Sequence, residues 1–451
     1  MKRKHAFLIA VCNLAVPVAL QSMLQASFSI VDQIMIGQLG SISVAGVGLA
    51  GKFASIFSVI VSAIGTVAGI MIAQYLGQSN QREIRRSFFV NLMIALGLTG
   101  VFSLLCGGLP MQVMGLYTND VPMQQAAARY LAILSASFLP LAGATLLSTL
   151  LRCMEKAQLP LYASMASAVL NTGLNYILIF GKFGFSPMGA AGAAIATVVS
   201  QWVNFLLMLV MVIRCGVIPG KKQRPGEPVS RFNWPQYLAM LLPILACEFL
   251  WSLGENVYAA IYGHMGTDAS AAMMLINPVQ ALLIGALCGL SQAASILIGK
   301  KLGSREYDEA YRDAWKLILY GFVGSVLLSV LVVAASPYYV EVYQVDAGVK
   351  LLTRQILLAY ALIAPFKVLN MTAGGGIIRS GGKTKYVMII DIIGTWCFGV
   401  PLGLLSAFVW KLSIPYVYFI LSLEECVRFC ISVAVLRSKR WMQSLSEEST
   451  Q

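Results

Sequence analysis

Apolar stretches long enough to cross a bilayer recur about twelve times along this chain, separated by short polar loops. A bilayer core takes about 20 residues of helix to cross, and only structures that satisfy their own backbone hydrogen bonds can do so. The pattern therefore dictates an all-α, polytopic membrane protein with about 12 transmembrane helices. The expected spans are 8–37, 52–76, 88–109, 124–151, 159–181, 189–213, 236–262, 271–299, 314–336, 348–378, 386–408 and 413–436. With 58% hydrophobic and 11% charged residues in 451, a water-soluble core is excluded, because soluble domains carry roughly a quarter charged residues.

The loops sort by charge. Lys2, Arg3 and Lys4, then Arg82/Arg85/Arg86, Arg152/Lys156, Lys221/Lys222/Arg224/Arg231, Lys300/Lys301/Arg305/Arg312, Arg379/Lys383/Lys385 and Arg437/Lys439/Arg440 occupy one alternating set. The other set is nearly free of cations. The positive-inside rule places both termini in the cytoplasm, and an even span count agrees. The net charge of +13 is thus explained by topology rather than by a nucleic-acid surface. The basic, apolar N-terminus lacks a small-residue cleavage site and reads as a retained first helix. Nine scattered cysteines without a CxxC pair argue against a disulfide framework or zinc site. His5 and His264 lie near span ends, which disfavours a histidine proton relay.

The two halves repeat. Pro17 and Pro243 are 226 residues apart, and Gly37/Gly263 and Leu76-Gly77/Leu302-Gly303 keep the same offset. Each half holds an even number of spans, so the repeats enter from the same side and are related by an axis along the membrane normal. The expected division is a six-helix bundle over 1–214, a proline-rich cytoplasmic linker over 215–235, and a second pseudo-symmetric bundle over 236–451. A cavity between such halves is the default substrate site.

Within the first span, Asp32 is a lone acid with no basic residue beside it in the stretch 17–40. A carboxylate in hydrocarbon costs several kcal/mol unless it is protonated, paired or facing water. Asp32 is therefore expected to bind a coupling cation, Na+ or H+; the bland reading is a cap or pair near the outer interface. Pro17 removes one backbone bond and supplies a hinge in the same helix. Asn171 and Asn175, four apart, share a helix face. They either complete the Asp32 site, which makes Asp32 a ligand for Na+, or bond helix to helix.

The phrases VDQIMIGQLGSISVAGVGLA, LNTGLNYILIFGKFGFSPMGAAGAAIA, EFLWSLGENVYAAIYGHMGTDASAA and IIRSGGKTKYVMIIDIIGTWCFGVPLG resemble, in order and over essentially the whole chain, the MATE (multidrug and toxic compound extrusion) family of bacterial type. The resemblance implies a V-shaped pair of bundles and cation-coupled export of amphipathic, cationic small molecules. It matches Asp32 and Pro17 to the family's first-helix acid and proline. One branch of the family carries an Asp where this chain has Asn175, so a ligand is kept but not a titratable one. Other branches place a key Glu where Trp251 stands, whereas Glu248 fits a Glu-x-x-Trp pattern of bacterial members.

Glu248, Trp251, Glu255 and Asp391 are accordingly the expected substrate contacts: carboxylates and an aromatic face for a lipophilic cation. Each has a plainer reading: packing for Trp251, a hydrated wall for Glu255, and pairing with a basic loop residue for Asp391. Lys52 and Lys367 read as interface residues, and i,i+4 pairing of Glu424 with Arg428 suffices for the last span.

The sequence supports a secondary antiporter with no enzymatic cofactor. Its expected partners are small organic substrates and membrane lipid, its expected state a monomer, and its expected place the bacterial cytoplasmic membrane. The alternative is a flippase of a lipid-linked precursor from the same superfamily, which would want basic residues in its cavity. An enzyme is disfavoured, since HExxH, GxSxG and G-x-x-x-x-G-K are absent.

Overall fold

The computed structural model describes residues 2–39, 41–118, 120–216, 232–341, 343 and 345–445. Most of the expected linker, with Lys221, Lys222, Arg224 and Arg231, lies outside the described residues, as do the side chains of Lys2, Arg3 and Lys4. Among the described residues every regular element is a helix. Eleven are long and apolar enough to cross a membrane: α1 (Ala6–Gly37), α2 (Ser43–Gly77), α3 (Gln81–Gly108), α4 (Val121–Cys153), α5 (Gln158–Phe180), α6 (Ala190–Arg214), α7 (Trp234–His264), α8 (Thr267–Gly303), α9 (Tyr307–Glu341), α10 (Ala347–Ile378) and α11 (Thr384–Val409). The twelfth expected span is present as two consecutive pieces, Ile414–Ser422 and Glu424–Ser438, which meet at Leu423 and together form α12. Each piece is too short to cross alone, and the second carries Glu424, Glu425 and Arg428 near its start.

Several helices begin earlier than their apolar runs. α2 starts at Ser43 rather than 52, and α9 at Tyr307 rather than 314. Polar and small residues outside the hydrocarbon do not end a helix; they only end the hydropathy signal. Starts are fixed by caps instead. Asn80 accepts from the Glu83 N–H at 3.2 Å ahead of α3, and Asn233 from the Gln236 N–H at 3.1 Å ahead of α7.

Two compact units divide the chain. The N-terminal unit is Leu20–Ile72 with Asn80–Val229; the C-terminal unit is Ser230–Gln451 with Met1–Ala19 and Ala73–Ser79. The bundles expected from the sequence follow covalent order. By contacts, α1 passes from one unit to the other between Ala19 and Leu20, just beyond Pro17, and α2 does so between Ile72 and Ala73.

The end of α2 is held inside the C-terminal unit by contacts that only small side chains permit. A Cβ on Gly77 would overlap the Lys300 carbonyl, and a Cβ on Gly303 would overlap the Gln74 carbonyl. Positions 74/300 and 77/303 are partners in the internal repeat, so the contact is reciprocal. Gln74 is fully buried beside it: its amide nitrogen donates to the Ser380 carbonyl at 2.7 Å, and its oxygen accepts from the Leu445 N–H at 2.8 Å. Gly303→Val forces a side chain into backbone and is expected to destabilise by about 1–3 kcal/mol. Gly263→Ala, with nothing within 4 Å, should cost nothing measurable. Melting curves of the two variants in detergent check the difference.

The helices of the C-terminal unit are locally over-wide. Met371–Ile378 at the end of α10, and Ile393–Gly399 and Leu405–Val409 in α11, are π-helical. Such turns re-aim side chains and collect at functional sites.

Candidate functional site

Two polar clusters lie within the spans, one in each unit. In the N-terminal unit, Asp32 of α1 meets α5. The Asn175 amide donates to Asp32 Oδ1 at 2.7 Å. The Asn171 amide is assigned with its nitrogen toward the carboxylate, where it donates to Oδ1 at 3.0 Å and Oδ2 at 3.1 Å while its oxygen accepts from the Ser200 hydroxyl at 3.1 Å. Asn171 and Asn175 face the same way because four residues complete about one helical turn. Asn175 is 1% exposed, so Asp32 points into the bundle and not at lipid. Asp32 has no ion-pair partner among the described residues. Its negative charge is met only by amide dipoles.

One atom in this cluster is left over. Asn175 Oδ1 is buried and accepts no hydrogen bond. A buried acceptor without a donor costs about 1–3 kcal/mol. It is an oxygen acceptor still free in a cluster whose other acceptor is the Asp32 carboxylate. Among the described residues no group of three or more His, Cys, Asp or Glu side chains could hold a metal ion, so transition-metal chemistry has no ligand set there.

In the C-terminal unit, α7, α10, α11 and α12 converge on a second cluster. Arg428 lies 3.5 Å from Glu424 and 3.6 Å from Asp391, and it donates to the Thr395 hydroxyl. The Tyr258 hydroxyl donates to Glu424 at 2.6 Å, and the Asn370 amide to Glu425 at 2.8 Å. Two glycines of the π-helical turn make room: a Cβ at Gly394 would overlap Arg428, and one at Gly399 would overlap both Tyr258 and Glu424. A cavity of about 340 Å3 opens beside the cluster, lined by Glu255, Tyr258, Tyr360, Lys367, Glu424 and Glu425 among others.

The expected substrate contacts are brought together only in part: Glu248 and Asp391 share Arg379 and Cys247 as neighbours, apart from the lining of the cavity. Glu255 lines the cavity. Glu248 lies 3.7 Å from Arg379, a pairing the sequence reading did not foresee. Asp391 pairs with Arg428 of α12 and also has the loop cation Arg379 as an electrostatic neighbour. Trp251 is 50% exposed and lines no part of the cavity. Glu424 does pair with Arg428 one turn on, as its spacing suggests, but the same pair also binds Tyr258 and Thr395. Tyr258, Tyr360, Lys367 and Asn370 were missed. An intramembrane Lys was the available signal for one of them; the others carry no mark in sequence.

The arrangement of helices and buried polar groups can be set beside known proteins. The chain is 24% identical over 422 residues to the probable multidrug resistance protein NorM of Bacillus anthracis, covering 87% of this chain and 86% of that protein. It is 29% identical to the protein of the same name from Bradyrhizobium diazoefficiens, covering 88% and 86%. A mutant of the Vibrio cholerae MATE transporter VcmN superposes with a TM-score of 0.88 at 17% identity, covering 98% of this chain and 100% of that one. The MatE family model matches residues 17–177 and 243–405, so its two copies begin at the two prolines of the internal repeat. The chain belongs to the MatE family.

Proposed function

We propose that this protein is a cation-coupled antiporter that exports small amphipathic, cationic organic compounds by alternating access. One observation carries the reading: an intramembrane carboxylate, Asp32, is held by two amides with no countercharge and with a buried orphan oxygen beside it. Such a carboxylate is costly when bare and relieved when a cation or proton occupies it. The names of its relatives, multidrug resistance proteins and MATE transporters, supply the substrate class.

In this scheme Na+ or H+ arrives from outside and neutralises Asp32. α1, shared between the two units and carrying Pro17 at the crossing, bends as the charge is cancelled. The organic compound leaves outward and the emptied carrier reopens inward. Both termini then lie in the cytoplasm, the membrane is the bacterial cytoplasmic membrane, and a monomer with its surrounding lipid suffices. A flippase of anionic lipid-linked precursors fits less well, because the cavity presents three carboxylates and one ammonium.

Removing an amide donor should strengthen occupancy without removing the acid, since the bare carboxylate loses a hydrogen bond. Asn175→Leu is expected to raise the apparent affinity for the proton by about tenfold, the worth of one hydrogen bond to a charged group, because the lost donor had stabilised the bare carboxylate. Dye efflux from proteoliposomes, titrated with Na+ at fixed pH and with pH at fixed Na+, tests both this and the reading itself. Efflux driven by neither gradient contradicts it.

A further inference from the structure

We infer that the C-terminal segment 439–445 is a latch: it ties the end of α2 into the C-terminal unit beside α8, and its release lets the two helices part when the carrier opens inward. The inference rests on the alternating-access reading and goes beyond it by naming the segment that holds one state closed.

A chain end beyond its last helix ordinarily frays, because few contacts hold it. This one is buried. α12 ends at Ser438, Lys439 turns the chain in the left-handed region at φ 58°, and its ammonium lies 4.9 Å from the centre of the Tyr311 ring. Trp441 and Ser444 are then fully buried and Leu445 nearly so. The Trp441 indole N–H donates to the Leu436 carbonyl at 3.2 Å, and the Trp441 carbonyl fills the space that a Cβ on Gly381 would need.

The bonds made by this segment converge on one face of α2. The Leu445 N–H donates to Gln74 Oε1 at 2.8 Å, and Gln74 Nε2 donates to the Ser380 carbonyl at 2.7 Å and the Gln443 carbonyl at 3.4 Å. One turn on, the Gln78 amide donates to the Ser444 hydroxyl at 3.4 Å. From α7, the Gln236 amide donates to the Leu445 carbonyl at 3.3 Å. Residues 443–445 thus join the end of α2 to the start of α7 and to the turn between α10 and α11.

What they hold shut is the reciprocal seam of Gly77 against the Lys300 carbonyl and Gly303 against the Gln74 carbonyl. Helices whose backbones touch leave no passage between them, so opening at this end requires the seam to part. Hydrogen bonds suit a contact that must break and re-form, because water replaces most of what is lost when donor and acceptor separate. Gln443 Oε1, buried without a hydrogen bond, adds a cost to the closed form that release removes.

The test reads the seam itself. Ala73 is 1% exposed and its methyl group faces Gly299 of α8, so a thiol at this position reacts only when α2 parts from α8. Ala73→Cys is made in the full-length protein with the exposed Cys12, Cys215, Cys397 and Cys430 changed to serine. Maleimide labelling in detergent is followed by peptide mass spectrometry. Gln78→Ala is expected to speed labelling at position 73 about fivefold, the worth of one neutral hydrogen bond. Ser444→Ala should speed it at least as much, and the double variant no more than Ser444→Ala alone, because both remove the same bond. Cys106, fully buried in the N-terminal unit, should gain no reactivity, which separates release from unfolding.

An unchanged labelling rate in Gln78→Ala, effects that multiply in the double variant, or a parallel gain at Cys106 overturns the inference. Faster labelling without ion-driven efflux would count against the antiport reading alone. Intact efflux with unaltered labelling would count against this inference alone.

Discussion

Asp32→Asn is expected to reduce ion-driven efflux to background while the protein still folds and inserts. The substitution keeps the shape of the side chain and its capacity to bond the amides of Asn171 and Asn175. What it removes is the charge whose burial cost depends on occupancy. Nothing near by can replace it, since Asn175 offers an oxygen but cannot ionise. The effect should therefore fall on coupling and not on stability. Accumulation of a fluorescent cationic dye in cells, with membrane-fraction protein levels as the control, reads both quantities. Unchanged efflux in a normally inserted Asp32→Asn protein would remove the central role assigned to this residue.

Arg428→Met has the opposite profile. Arg428 is 8% exposed and is the shared countercharge of Glu424 and Asp391. Removing one partner of a buried ion pair leaves an uncompensated charge and costs about 3–5 kcal/mol. A large fall in melting temperature, or loss of the protein from the membrane fraction, is the expected outcome. Adding Glu424→Gln should recover part of the loss, because the orphaned carboxylate is then gone and the Tyr258 bond can persist. A melting temperature unaltered by Arg428→Met, or no recovery in the double variant, would show that the cluster is held together by something other than this charge balance.

Much of this architecture is legible in the sequence because the bilayer imposes a single dominant rule. Hydrophobic length places the spans, and the constant 226-residue offset marks the repeat. Asp32, Asn171 and Asn175 are legible for the same reason: polar groups stand out against an apolar run, and four-residue spacing puts the two asparagines on one face. Their meeting across α1 and α5 is not dictated by either run alone.

The second cluster shows the limit more sharply. Glu424 and Arg428 declare themselves at i,i+4, but Tyr258 lies 166 residues from Glu424 and Asn370 lies 55 from Glu425. No periodicity connects them. The pairing of Glu248 with Arg379 is hidden likewise, since Arg379 reads as part of a basic loop. Lys367 shows a different limit: read as an interface residue, its charge gives no sign that it lines a cavity with Glu424 and Glu425. Finally, covalent order suggests that residues 1–19 and 73–79 belong with the first half. Residues 6–19 and 73–79 instead pack with the second, at contacts such as Gly289 against the Ala15 carbonyl and Gly303 against Gln74.

Antiport requires that the inorganic cation and the organic compound oppose each other's binding, and linkage makes that opposition reciprocal. The affinity of the detergent-purified protein for a cationic dye, measured across Na+ concentration and across pH, reads it without a membrane. The account predicts that raising Na+ or H+ weakens dye binding by about tenfold or more in the unaltered protein and not in Asp32→Asn. Dye affinity that is indifferent to both ions, or equally sensitive with and without the Asp32 carboxylate, would contradict it.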